Sequence, residues 1–251
     1  VRLVNTRTQG QIKVLYQDEH YVAVHKPAGL LLHRSLIDKR ETRFLMQQVR
    51  DLLGQHVFPV HRLDRPTHGV VLMALNPQAA REMNTRFSTG HVRKTYWAIC
   101  RGFLPGSGTV DYALKEQLDK MTDSRARQDK EPQTAVTHYR CLRTIEFKAD
   151  VGRYDSARFS LVELKPRTGR KHQLRRHMKH IFHPIIGDTT HGDGVQNRFF
   201  REHLNAQRLM LCALTLDFIH PITGDSVHIQ TVPEGSMAKV LREPDWCKPE
   251  L

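Results

Sequence analysis

Apolar positions recur at two periods along this chain, and the switches between them predict its elements. Apolar residues concentrated over 12–16 and 21–25 predict two strands joined by the turn Gln17-Asp18-Glu19-His20. Pro27 and Gly29 then force a tight loop with Lys26 at its mouth. Over residues 42–53, Leu45, Val49, Leu52 and Leu53 share one face of a helix that Gly54 ends. A short apolar run (Val57, Phe58, Val60) and a stronger one over residues 69–75 predict buried strands, with a charged loop between them. Asn76 and Pro77 are a cap and first position for a helix reaching about Phe87, with Gly90 as its stop.

Residues 91–102 alternate as a strand: Val92, Lys94, Tyr96, Ala98 and Cys100 share one face, and Arg93, Thr95, Trp97, Ile99 and Arg101 the other. Residues 115–133 lose the apolar period and read as a surface excursion, either solvated or gripping RNA through Arg125, Arg127 and Lys130. Strands are predicted over residues 137–147 and 158–164. Within residues 168–188, Leu174, Met178, Ile181 and Phe182 form the inward stripe of an amphipathic helix. Lys171, Arg175, Arg176 and Lys179 lie away from that stripe, and Pro184 closes the helix. A buried strand over residues 208–216, a turn and a hairpin partner over 226–232 complete the ordered part. Residues 1–10 read as a loose arm, 11–232 as one α/β domain, and 233–251 as an irregular tail.

Charge changes this picture more than composition does. A formal charge of +13 on 251 residues, clustered near particular motifs, favours a polyanionic partner, nucleic acid first. No apolar run approaches the roughly 20 residues of a membrane span, and no apolar signal core opens the chain. Four well-separated cysteines with no metal-ligand spacing suit a reducing cytoplasm.

The candidate chemistry is sparse. In HRLDRPTHG, residues 61–69, Asp64 stands between Arg62 and Arg65, and two cations at that spacing would keep its carboxylate ionised. That suits a nucleophile or base; a salt bridge tying down the loop is the competing reading. Tyr96 is open to the same division between cross-strand packing and function. His172, His177, His180 and His183 invite a metal, but no carboxylate lies among them and their Arg and Lys neighbours would repel a dication. No Walker, Rossmann or GxSxG pattern is present. The kit fits attack on an electrophilic centre of a nucleoside better than phosphodiester hydrolysis, which would usually recruit a metal.

HRLDRPTHG resembles the HRLDxxTSG signature of the RluA family of pseudouridine synthases. KPAGLLLH, KTYWAICRG, VELKPRTGRKHQLRRHM, HPIIGD and HPITG resemble further motifs of that family, in its order and over nearly the whole chain. The resemblance implies a mixed, mostly antiparallel sheet flanked by helices and loops, with a central basic cleft. It makes Asp64 the nucleophile. Tyr96 becomes the aromatic against the target base and a candidate to take the C5 proton. Arg175 becomes the partner of Asp64, with Leu174 packed beside it. Lys26 and Arg62 would support the site or face RNA, and Lys94, Arg170 and Arg176 would bind substrate. No cofactor, metal or protein partner is implied. HRSLID, LDKMTDSRARQDKEPQTAVTHY and HGDGVQNR are similar to the branch of the family that modifies uridine 65 in the T stem of tRNA. Two residues depart from the pattern: His68 stands for Ser in the signature, and Cys212 for a His in the late RLxLHA segment.

Overall fold

Two continuous apolar runs, YVAVHK and HGVVLMA, become strands buried along their whole length. In the computed structural model, which describes residues 12–33, 41–116, 131–152 and 154–247, they pair antiparallel, Tyr21 opposite Ala74 and Lys26 opposite Gly69. The chain divides into two units, the first made of the described residues up to Lys94 together with Ala213–Val232, the second of the remainder.

In the first unit, β1 (Lys13–Gln17) pairs with β2 (Tyr21–Lys26), and α1 (Leu45–Leu53) follows. The two-residue β3 (Phe58–Pro59) pairs with β4 (His68–Ala74), and α2 (Pro77–Ser88) begins as its sequence dictates, the Asn76 side chain accepting from Ala79 N–H at 2.8 Å. Gly54 closes α1 in the left-handed conformation, φ 65°. The core joins Tyr21, Val70, Leu72 and Met83 to Phe218 and Ile229.

The second unit takes up β5 (Val92–Arg101) from Thr95, then β6 (Ser107–Asp111), β7 (Val136–Val151), β8 (Tyr154–Pro166), α3 (Gln173–His180) and α4 (Gly194–His203). Its strand order is β5-β8-β7-β6, with antiparallel pairings. The chain returns to the first unit within β9 (Leu211–Ile219), which pairs antiparallel with β10 (Ser226–Gln230), and ends in α5 (Gly235–Val240). Gly69 is needed where β4 lies beside β9: its φ is 124°, and a Cβ there would stand 2.2 Å from the Ala213 carbonyl oxygen.

Several expectations change. The arm over residues 1–10 and Arg125, Arg127 and Lys130 lie outside the described residues. The foot of that excursion is pinned by reciprocal backbone bonds between Leu114 and Gln133, 2.9 and 3.0 Å. The two strands predicted over 137–147 and 158–164 extend into one long hairpin turning at Gly152. Its outer part alternates buried with exposed polar residues, so apolar runs understate it. β6 has no apolar run and was not expected. The tail is not wholly irregular: α5 forms, and Cys247 exchanges backbone bonds with Thr144. Phe182 does not join the inward stripe of α3, which ends two residues earlier; it is 83% exposed.

Candidate active site

The Asp64 loop is built from its backbone outward. Asp64 is half-buried, and its carbonyl closes a turn by accepting from Thr67 N–H at 3.1 Å. Beneath the turn lies Lys26, fully buried, whose ammonium donates to the carbonyls of Pro27, Arg65 and Thr67 at 3.0, 3.0 and 2.8 Å. Gly29 N–H donates to the Arg65 carbonyl at 2.8 Å, and Arg65 Nε returns a bond to the Gly29 carbonyl at 3.1 Å. The KPAG and HRLDRPTHG segments are therefore one structure. Of the two readings of Lys26, support of the site and contact with RNA, burial favours the first: it is a clamp that positions the loop. Lys26→Met would leave the Pro27 and Thr67 carbonyls without this donor, at roughly 1–3 kcal/mol each, while the Arg65 carbonyl keeps the Gly29 N–H. It should lower stability in denaturant unfolding by at least about 2 kcal/mol, and an unchanged midpoint would remove the clamp role.

The cations flanking Asp64 diverge. The Arg65 guanidinium pairs with Glu41, and Arg62 is exposed. His61 turns inward: its Nε2 accepts from Leu72 N–H at 2.9 Å and its ring stacks on Phe87, centroids 4.9 Å apart. Burial, with Lys94 nearby, pushes its pKa down to about 3, as an accepting nitrogen requires. Burial likewise lowers the Lys94 pKa. His68 is buried beside His25, ring centroids 6.1 Å apart, and His25 Nδ1 lies 2.7 Å from Thr231 Oγ1. In place of Ser, His68 thus fills interior space within the first unit.

The other candidates belong to the second unit. Tyr96, opposite Leu164 on β8, packs on the cluster formed by Ala98, Leu164, Leu174 and Met178. Tyr96 and Leu174 are so brought together by the alternation of β5 and the apolar stripe of α3. Arg175 is 5% exposed, and the helical pattern that set it on the polar face misplaces it. Within its own unit its partner is Asp188: Nε donates to Oδ2 at 2.7 Å and Nη2 to Oδ1 at 2.8 Å. Asp188 Oδ1 also accepts from Thr190 and His191 N–H, both at 2.9 Å. Burial alone would raise the Asp188 pKa; the bonds and charge of Arg175 and the two backbone donors outweigh it, and the carboxyl sits below its usual value.

Asp188 was missed at the sequence level. The signal was present, since it is the first carboxylate after Glu163 in a strongly basic stretch. HGDGVQNR explains how it is held. Asn197 accepts from Gly187 N–H at 2.7 Å and donates to the Asp188 carbonyl at 2.9 Å. A Cβ on Gly187 would meet the Arg208 carbonyl oxygen at 2.1 Å.

The start of α3 is set by Gln173, also missed. Its amide donates to the Val136 carbonyl and Thr137 Oγ1, both at 3.0 Å, and its oxygen accepts from Arg170 N–H at 3.0 Å. Arg170 Nε donates to the Thr134 carbonyl at 3.2 Å, and Arg176 Nη1 to the Lys115 carbonyl at 2.9 Å, so both are tethered near the foot of the excursion. The four histidines have separate surroundings: His172 with His191, His177 with Thr137 and Tyr112, His180 stacked on Tyr112, His183 with the Arg101 carbonyl. Among the described residues no three His, Cys, Asp or Glu gather as a metal-binding set.

Residues 20–180 match the family model described as RNA pseudouridylate synthase. The chain is 53% identical over 235 residues to tRNA pseudouridine synthase C of Vibrio cholerae, covering 94% of this chain and 96% of that protein. It is 56% identical over 216 residues to tRNA pseudouridine synthase C of Yersinia pestis, covering 86% and 84%. The human RNA Pseudouridylate Synthase Domain Containing 1 structure is similar with a TM-score of 0.69 at 25% identity, over 98% of this chain and 91% of that one. Human RNA Pseudouridylate Synthase Domain Containing 4 gives 0.68 at 27% identity, over 95% of each chain.

Proposed function

This chain belongs to the RNA pseudouridylate synthase family, and we propose that it isomerises uridine to pseudouridine in tRNA, at position 65 in the T stem, with Asp64 as its nucleophile. The similarity to tRNA pseudouridine synthase C along 94% of the chain carries the choice of tRNA. Such a substrate places the reaction in the cytoplasm.

The reaction breaks the C1′–N1 bond of uridine, turns the base, forms C1′–C5, releases the C5 proton and leaves N1 protonated. It is an isomerisation, so no second substrate is consumed. The base must first leave its stack, at a cost of a few kcal/mol. Phosphate contacts from a surface carrying a net +13 oppose that cost. In this reading the Lys26 clamp fixes the backbone around Asp64, Tyr96 lies against the base and receives the C5 proton late, and Leu174 supports that ring. Arg175, oriented by Asp188, supplies positive charge for a departing uracilate anion. Arg62, exposed beside Asp64, together with Lys94, Arg170 and Arg176, belongs to the RNA-binding side of the reading.

Incubation with tRNA tritiated at uridine C5, in the presence of EDTA, tests this. One tritium released per tRNA, mapped to position 65, is the expected result. Release only from ribosomal RNA would move the substrate, and no release from either would leave an RNA-binding protein without turnover.

A further inference from the structure

The end of α3 carries a side chain that neither backbone nor solvent favours. Phe182 has φ 65°, the left-handed region that penalises a Cβ and usually selects glycine at this place after a helix. Two bonds enforce it: Phe182 N–H donates to the Lys179 carbonyl at 3.0 Å and His183 N–H to the Met178 carbonyl at 2.9 Å. His183 is itself fixed by Nδ1, 2.8 Å from the Arg101 carbonyl. At 83% exposure, Phe182 is the most exposed large apolar side chain among the described residues. Packing therefore does not explain the ring, and glycine would relieve the backbone.

The surroundings select the partner. Residues 165–187 hold seven Lys or Arg and four His and no Asp or Glu. Lys179 and His180, in the last turn of α3, are exposed, and His180 stacks on the exposed Tyr112 with centroids 3.8 Å apart and planes 17° apart. Exposed rings among cations are how proteins hold nucleobases with little regard to sequence. A protein partner would more often meet a surface of mixed charge.

We propose that Phe182 stacks on a base or ribose face of the substrate RNA, outside the target nucleotide. The helix rise of about 1.5 Å per residue sets His180, the last residue of α3, about 7.5 Å along the axis from Arg175, and Phe182 follows past that end, so the contact falls on a flanking nucleotide. The partner rests on the pseudouridine synthase reading, whereas the exposed, strained ring does not.

The test uses Phe182→Gly, Phe182→Asn and Phe182→Trp in the full chain, measuring tRNA affinity, turnover at saturating tRNA and thermal melting. The Gly and Asn variants should bind about tenfold more weakly or worse, with turnover at saturation unchanged and melting no lower than wild type. The Trp variant should keep wild-type affinity. The slope of log affinity against log salt should not change, because a ring releases no counterions. Wild-type affinity in the Gly variant overturns the proposal. So does an affinity loss tracked by a lower melting temperature, or by a changed salt slope. Failure of the synthase reading would show separately, as wild-type protein that binds tRNA without releasing tritium.

Discussion

Asp64→Asn should release no tritium above background, a loss of at least about 10⁴-fold in turnover, while tRNA affinity stays within a few-fold and the melting temperature holds. The amide has the shape of the carboxylate and keeps one accepting oxygen. It has no charge and no nucleophilic oxygen pair, so chemistry stops where binding need not. The loop keeps the Lys26 ammonium and the backbone groups of Gly29, Arg65 and Thr67 as anchors, which the substitution leaves in place. The salt-bridge reading of Asp64 predicts otherwise: melting would fall and affinity with it, and turnover would drop only in proportion to folded protein. Calorimetry and filter binding on the same preparation separate the two.

What was legible in the sequence was local. Gly54, Asn76 and Pro77 fix helix ends through backbone chemistry confined to a few neighbours, and all three lie where that chemistry places them. The runs that became β2 and β4 were legible because burial on both faces leaves no other use for them. The motif order was likewise enough to identify Asp64 and Tyr96 as candidates.

The rest depended on partners distant in sequence. In sequence, Lys26 stands between supporting the site and facing RNA because two of the carbonyls it serves belong to residues 65 and 67, some forty positions on. Arg175 fell on the polar face of its helix by periodicity, and the turn held by Asn197 brings the Asp188 carboxylate that pairs with it in the interior. The signature alone gives His61 no role of its own. Its ring is instead a neutral acceptor for a β4 amide, which no spacing rule reports. Phe182 was assigned inward because its spacing fits the stripe, but the helix stops at His180 and the chain turns left-handed first.

Asp188→Ala should strongly destabilise the second unit. It leaves the Arg175 guanidinium 5% exposed and without its bidentate partner, a situation that typically costs about 3–5 kcal/mol. Asp188→Asn separates charge from shape, since its oxygen can still accept from Thr190 and His191 N–H. The pH dependence has a definite sign. The folded pKa of Asp188 is depressed below its unfolded value, so its contribution is complete above the ordinary aspartate range near about 4 and is lost as pH falls through the lower folded value. Wild-type stability should therefore fall with pH in that acid window more steeply than that of the Asn variant, read as denaturant midpoints across pH. Catalysis is then tested apart from folding. Replacing both charges, Arg175→Met with Asp188→Asn, removes the buried charges together while an oxygen still accepts from Thr190 and His191 N–H, and should recover most of the lost stability. If Arg175 acts on the departing base, that folded double variant will still bind tRNA and still fail to release tritium. Turnover restored along with stability would reduce the pair to a structural bridge and return the anion's stabilisation to other donors.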